Sequence, residues 1–361
     1  MGGRKRAVEA MVGFEDFYRD RRVLVTGHTG FKGSWLCAWL QELGAHVTGF
    51  ALAPDTQPSL FEAAGVESGM VSILGDVRDR EALRSAFRQA QPEVVFHLAA
   101  QPLVRRGYEQ PAETFETNVM GTVNVLECVR ETPGVRSVLN VTTDKVYRNR
   151  EWSWGYRESD ELDGHDPYSN SKSCSDLITG CYRRSFFTGG PAVSAARAGN
   201  VIGGGDFAAE RILPDCVRAA LAGQPIILRN PRSVRPYQHV LEPLSAYLLI
   251  ARAQYEDPSL AGAYNVGPGQ EGCVTTEELA RLFCAAWGQG ARYEAGPGGG
   301  PHEAGLLTLD AALIRQKLGW QPRWSIAQAV ERAARWYRCH AAGGDEAACL
   351  RGQIAEYSNQ E

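Results

Sequence analysis

The run Val23-Leu24-Val25-Thr26-Gly27-His28-Thr29-Gly30-Phe31-Lys32-Gly33 constrains this chain more than any other segment. Its first four residues are apolar or β-prone and predict a short buried strand that ends at Gly27. Glycine recurs at Gly30 and Gly33, and the apolar stretch Trp35-Leu36-Cys37-Ala38-Trp39-Leu40 follows as a helix. The order is strand, glycine turn, helix. Glycines permit the tight turn and let backbone approach a pyrophosphate, whose charge then meets the positive helix N-terminus. A lone glycine triplet is weak evidence. Between a strand and a helix near the start of a globular chain, it predicts a dinucleotide site over Gly27, Thr29, Gly30, Phe31, Lys32 and Gly33.

Composition narrows the class. The 361 residues suffice for a large core, and 44% hydrophobic against 22% charged residues speaks against disorder at the scale of a domain. A net charge of −4 with scattered cations argues against a nucleic-acid groove. No apolar run approaches the ~20 residues of a membrane span. Met1-Gly2-Gly3-Arg4-Lys5-Arg6 is basic with no apolar core behind it, unlike a signal peptide. The nine cysteines are odd in number and include no Cys-x-x-Cys pair. Cys37, Cys181 and Cys284 sit in apolar stretches, and the set reads as buried, reduced thiols of a cytoplasmic protein.

The first half alternates strand and helix. Strands are expected at His46–Leu52, Val71–Leu74, Val94–Leu98, Ser137–Val141 and Val193–Ala196, with helices at Arg80–Ala90, Asn118–Glu131 and Tyr168–Tyr182. Such alternation predicts an α/β fold with a doubly wound parallel sheet, ligands binding beyond the carboxyl ends of its strands. From Gly199 onward, loops rich in Gly and Pro interrupt short elements and predict a smaller C-terminal substrate-binding lobe. The expected division is an N-terminal arm over 1–13, a cofactor domain over 14–198, a lobe over 199–342 with some segments returning to the first domain, and a tail or final helix over 343–361, after a helix Ile326–His340.

Tyr168-Ser169-Asn170-Ser171-Lys172 sets a phenol and an ammonium on one face of a helix. A free tyrosine titrates near ~10, too high for a good base at neutral pH. A nearby lysine and an oxidised nicotinamide both favour the phenolate and are expected to lower that value. Most Tyr-x-x-x-Lys pairs are surface features. Behind a glycine cradle and five strands, this one predicts catalysis.

The glycine turn, Asp76 after the third strand, Leu98-Ala99-Ala100 after the fourth, and Tyr168 with Lys172 together resemble the extended short-chain dehydrogenase/reductase family, over about Val23 to Trp336. The resemblance implies a Rossmann-type domain with Asp76 and Val77 at the adenine, Leu98, Ala99 and Ala100 along the dinucleotide, and Thr143 beside the tyrosine. Within the family, Thr143-Asp144-Lys145 stands where sugar-nucleotide 4,6-dehydratases carry Thr-Asp-Glu. Glu151-Trp152-Ser153-Trp154-Gly155-Tyr156-Arg157-Glu158, Asp166-Pro167-Tyr168, Arg197-Ala198-Gly199-Asn200 and Arg235-Pro236-Tyr237-Gln238-His239 point the same way. Phe207 and Tyr237 stand where the family more often has Trp.

For such an enzyme, Tyr168 takes the O4 proton as C4 of the sugar is oxidised, Thr143 positions O4, and Lys172 holds the ribose. Asp144 is then the acid at O6 and Lys145 the base at C5, against the alternative of a structural ion pair at a strand end. A nucleoside diphosphate asks for cations and backbone donors. Arg235 is the first candidate, then Asn200 and Arg211. Arg105 is a candidate for the sugar or a surface residue, and His302 for the nucleoside or a loop hydrogen bond. The second strand ends in Phe50-Ala51-Leu52-Ala53-Pro54 without the usual acid for a ribose diol. Lys32 suits either a 2′-phosphate or the pyrophosphate, so local chemistry leaves NAD and NADP open; the resemblance favours NAD. No metal-ligand spacing occurs. The partners expected are a nucleotide sugar and a second copy of the chain, pairing through helices 118–130 and 168–182, with no nucleic acid or membrane. The rivals are another NDP-sugar dehydratase, a 4-epimerase, or a silent NAD-binding sensor. An epimerase has no use for an acid and base at C5 and C6.

Overall fold

The computed structural model describes residues 14–296 and 305–359, so the expected arm over 1–13 lies outside the described residues. A seven-stranded sheet organises them. Its strands are β1 (Arg22–Thr26), β2 (His46–Ala51), β3 (Val71–Leu74), β4 (Val94–His97), β5 (Ser137–Thr143) and β6 (Ala192–Ala198), joined by a strand from far downstream, Ala263–Val266. Their order is β3-β2-β1-β4-β5-β6 with Ala263–Val266 on the outer edge, and every pairing is parallel. Register is fixed by pairs such as Val23↔Val47 and Val25↔Phe96. Every residue of β4, β5 and β6 is buried, as strands covered on both faces must be. At the opposite edge β3 leaves Val71 and Leu74 exposed.

Helices cover both faces: α1 (Phe31–Glu42), α2 (Arg80–Ala90), α3 (Gly121–Arg130) and α4 (Pro167–Ser185). The α2 amphipathic pattern buries Leu83, Ala86 and Phe87 beneath the sheet, and Asp79 caps it by accepting from the amides of Glu81 and Ala82. Asp166 caps α4 through the Ser169 amide at 3.0 Å, and Pro167 fixes the first helical φ. The helix expected over 118–131 begins instead with a π turn, Glu116–Met120. Cys37 is buried as expected, whereas Cys284 is half-buried and Cys181 exposed, because the apolar residues around Cys181 face both ways on α4.

The second half builds small pairs around the strand ends. These use β7 (Val201–Ile202), β8 (Ile226–Leu228), β9 (Val234–Pro236), β10 (Gln238–His239), β12 (Cys273–Thr275) and β13 (Tyr293–Ala295), with the sheet-edge strand Ala263–Val266 as β11. Pairings are β7 with β10, β8 with β13 and β9 with β12. Helix α5 (Ile212–Leu221) stands in this half. Helix α6 (Leu241–Glu256) then runs back under the sheet, where Gln254 donates to the Val138 carbonyl at 2.9 Å. Helices α7 (Thr276–Trp287), α8 (Ile326–Ala341) and α9 (Glu346–Ser358) complete the body. The largest core cluster unites α1, α6, α8 and α9, with Trp35, Tyr247, Trp336 and Tyr357 fully enclosed. Among the described residues no helix is long and apolar enough to cross a membrane.

Candidate active site

Sheet order reverses between β1 and β4, and a cleft of about 1020 Å³ opens beyond the carboxyl ends of these strands. Gly27 lies in the left-handed region at φ +76°. A Cβ there would sit 2.7 Å from the Ala99 nitrogen, and one on Gly33 would sit 2.0 Å from the Gly27 carbonyl oxygen. Only glycine fits either position. Helix α1 starts at Gly30 with no side-chain cap and no acidic residue in its first turn, leaving its free amides facing the cleft without a built-in acceptor. Cradle and uncapped helix fit the pyrophosphate of a dinucleotide.

The expected cofactor residues line one continuous wall: Thr29, Phe31 and Lys32 in the turn, Asp76 and Val77 after β3, and Leu98, Ala99 and Ala100 after β4. Thr29 is held by its hydroxyl, which donates to the Leu52 carbonyl at 2.9 Å. Arg78 forks onto the Asp76 carboxylate at 2.6 and 2.9 Å, which holds that acid below its ordinary range. Behind the wall runs a chain of buried polar groups that sequence reasoning missed. Thr26 contacts His97 at 2.7 Å, His97 contacts Thr122 at 3.1 Å, and Thr122 contacts Ser175 of α4 at 2.8 Å. Burial pushes His97 down to about 3, so it stays neutral. Asn118 accepts from the Gln101 amide and donates to Ser171, tying the post-β4 loop to α4. The run of Ser and Thr at the buried positions of α4, Ser171, Ser175 and Thr179 among them, was the available signal.

Beyond this wall the structure brings Thr143, Asp144, Lys145, Tyr168 and Lys172 to the same cleft. Thr143 ends β5, and its hydroxyl donates to Asp144 Oδ1 at 2.9 Å. Asp144 is 1% exposed, and its other oxygen, Oδ2, has no hydrogen-bond partner. Lys145 Nζ lies 3.5 Å from Oδ1, so an ion pair does exist at this strand end, with Lys145 one-third exposed to the cleft. Lys172 donates to the Val141 carbonyl at 2.7 Å, and burial lowers it to about 7, helped by the charge of Lys32. Burial pushes the Tyr168 phenol up to about 12, although its hydrogen bond with Thr143 and the positive Arg211 pull the other way. The lowering expected from Lys172 is therefore not delivered by the protein's own groups. Desolvation outweighs it, and the nearby Asp144 charge opposes it.

Lys32 shares its surroundings with Arg211, Asp144, Lys145 and Asp206, and burial brings it down to about 8. It sits among the reacting groups as well as in the turn. Arg211 lines the cleft and pairs with Asp206 at 2.9 Å. Arg235 is 7% exposed, lines the cleft, and donates to the Val234 carbonyl at 2.9 Å. Asn200 lines it too, with its buried Oδ1 unpartnered. Arg105 is at the cleft mouth in an ion pair with Glu210, which joins the post-β4 wall to the loop before α5. His302 lies outside the described residues. Among those described, no group of three or more His, Cys, Asp or Glu is arranged to hold a metal ion.

A model of the NAD dependent epimerase/dehydratase family matches residues 23–267. The chain belongs to this family. The match spans the cradle, the Thr143 and Tyr168 clusters and the returning strand β11, and NAD is the family's cofactor, which decides the choice that the end of β2 leaves open. A CDP-glucose 4,6-dehydratase of Salmonella typhimurium is 46% identical over 350 residues, 95% of this chain and 98% of that protein. That is the enzyme the Gly-His-Thr-Gly-Phe-Lys-Gly-Ser-Trp and Thr-Asp-Lys segments resemble. Among solved structures, UDP-glucose 4-epimerase of Thermus thermophilus in complex with NAD superposes with a TM-score of 0.77 at 27% identity, over 88% of this chain and 99% of that one. DesIV, a dTDP-glucose 4,6-dehydratase of Streptomyces venezuelae with NAD and TYD bound, gives 0.73 at 27% identity, over 90% and 99%.

Proposed function

We propose that this chain is a hydro-lyase that converts CDP-glucose to CDP-4-keto-6-deoxyglucose. The single observation that carries this reading is Asp144: an enclosed carboxyl one residue from the hydroxyl of Thr143, with one oxygen engaged and the other, Oδ2, left unpartnered. An acid at O6 is what a dehydratase needs and an epimerase does not. The 46% identity to a CDP-glucose 4,6-dehydratase supports the same choice and supplies the nucleotide base.

NAD, when bound, supplies the hydride acceptor that makes C4 a ketone and later the hydride donor for C6. Gly27, Thr29, Gly30, Phe31, Lys32 and Gly33 would hold its pyrophosphate, Asp76 and Val77 its adenine end, and Leu98 to Ala100 its length. Tyr168, as the phenolate, takes the O4 proton and becomes the phenol, while Thr143 orients O4. A C4 ketone acidifies C5–H. Once the proton shared by the pair has passed to Asp144, the neutral amine of Lys145, its more exposed member, accepts the C5 proton and Asp144 Oδ2 delivers its proton to the departing O6, which returns the two to ammonium and carboxylate. Arg235, Arg211 and Asn200 receive the diphosphate and sugar. With Glu210 as its partner, Arg105 acts at the mouth, not on the sugar. In this reading residues 14–198 with the returning β11 form the cofactor domain, and most of 199–342 forms the substrate lobe. Exposed Met120, just before α3, and exposed Leu177 and Phe186, on and just after α4, support pairing of these helices with a second copy. The free thiols support a reducing, cytoplasmic setting.

Incubation with CDP-, dTDP-, UDP- and GDP-glucose tests the reading. The expected result is a 4-keto product from CDP-glucose, with deuterium placed at C4 recovered at C6 and solvent hydrogen at C5. Stoichiometric release of reduced cofactor, or loss of the C4 label to water, overturns it.

A further inference from the structure

Two of the nine cysteines face each other outside the cleft. Cys339 is in the last turn of α8 and Cys349 in the first turn of α9, and their sulfurs are 2.7 Å apart. The approach is built by the connection between the helices. Gly343 adopts φ +65°, and a Cβ on Gly344 would sit 2.7 Å from the Cys339 sulfur, so two glycines reverse the chain and leave room for the thiol. Asp345 then caps α9 through the Ala348 amide at 2.8 Å, which fixes where Cys349 emerges. Both thiols are half-buried and within reach of small oxidants.

We propose that Cys339 and Cys349 are a reversible redox pair that closes to a disulfide with hydrogen peroxide as oxidant and reopens with a dithiol. The Cys339 thiolate attacks one peroxide oxygen, the O–O bond breaks, and hydroxide leaves, giving a sulfenic acid. The Cys349 sulfur then attacks that sulfur, the S–O bond breaks, and water departs once protonated. In sum, two thiols lose two electrons and two protons, and one peroxide becomes two waters. Cys349, whose thiol is pushed up by burial and by the neighbouring Cys339, is assigned the resolving step. The bond ties α9 to α8. Helix α9 is also held by Leu350, Ile354 and Tyr357 in the core, by Glu356 to Arg332 and Arg335 of α8 and by Arg351 to Glu42 of α1, and the staple adds a covalent tie to the helix packed behind α1.

The test is peptide mapping of the full chain after peroxide, without reductant. A Cys339–Cys349 linked peptide, 2 Da lighter than the two thiol peptides together, is expected, and a dithiol should remove it. Free or singly over-oxidised cysteines with no linked peptide overturn the proposal. In Cys349→Ser, peroxide should drive Cys339 on to the sulfinic acid, because the resolving thiol is gone; an unmodified Cys339 overturns the order of attack. Oxidised wild type should melt about 2–4 °C above the reduced form, with no such gap in Cys349→Ser and an unchanged gap in Cys181→Ser. A linked peptide without that gap refutes the staple.

Discussion

At Asp144 the same carboxyl engages Thr143 through one oxygen and keeps the other enclosed and unpartnered. Asp144→Asn separates these duties, because the amide oxygen still accepts from Thr143 while the proton donor is lost. Dehydration should fall about 10²–10⁴-fold, with oxidation at C4 preserved, so that reduced nicotinamide absorbance builds up on the enzyme in a stopped-flow trace. Equal loss of both steps would remove Asp144 from the acid role. Gly33→Ala addresses the cradle: its Cβ has 2.0 Å to the Gly27 carbonyl, so NAD affinity measured by calorimetry should drop at least tenfold. These residues were legible in the sequence because each chemical unit is local. Gly27 to Gly33, Thr143 to Lys145 and Tyr168 to Lys172 are each read within a few positions. The Arg211–Asp206 pair is also close in sequence, yet nothing in its spacing showed that Asp206 would be buried against it. Arg105 with Glu210 joins loops over a hundred residues apart, and no local pattern encodes that.

One enclosed acid adds to the anchors of helix α9. Glu242, at the start of α6, accepts from the amides of Arg323 and Trp324 at 3.1 and 2.7 Å and from the Tyr357 hydroxyl at 2.7 Å. Burial nonetheless raises it to about 7. With the folded value above the unfolded one near ~4.5, the native state binds the extra proton between them. Stability from this group is fully present below about pH 4.5 and is lost as pH rises through about 7, an effect of order 3 kcal/mol. Glu242→Gln should flatten that part of the melting-temperature profile, and an unchanged slope would assign it elsewhere. From sequence, Glu242 looks like an ordinary first-turn acid. Only the packing of α9 across it makes it an enclosed anchor. Long periodic elements fared better, α2 and α4 among them, whereas the π turn at Glu116–Met120 escaped notice because its apolar spacing mimics an ordinary helix.

For the molecule as a whole, the exposed Leu177 on α4 and Met120 just before α3 set the expectation for assembly. Leu177→Glu should convert a two-chain mass to a one-chain mass in light scattering at micromolar concentration; wild type already monomeric would rule out the pairing. The doubly wound sheet was readable as six strands because buried parallel strands announce themselves as apolar runs between helices. The seventh, Ala263-Tyr264-Asn265-Val266, was not, since four residues with an asparagine in a Gly- and Pro-rich half carry little signal. That strand also sets a timetable for birth on the ribosome. When residue 198 emerges, the sheet has an open edge at β6, whose main-chain donors and acceptors await a partner still to be translated. Helix α6, the cover for the same region, arrives only over 241–256. For the time needed to synthesise some 65 residues, at about 5–20 residues per second, the nascent chain presents a bare strand edge to whatever is nearby. The C-terminal half thus acts as the late-arriving seal of the N-terminal half's sheet.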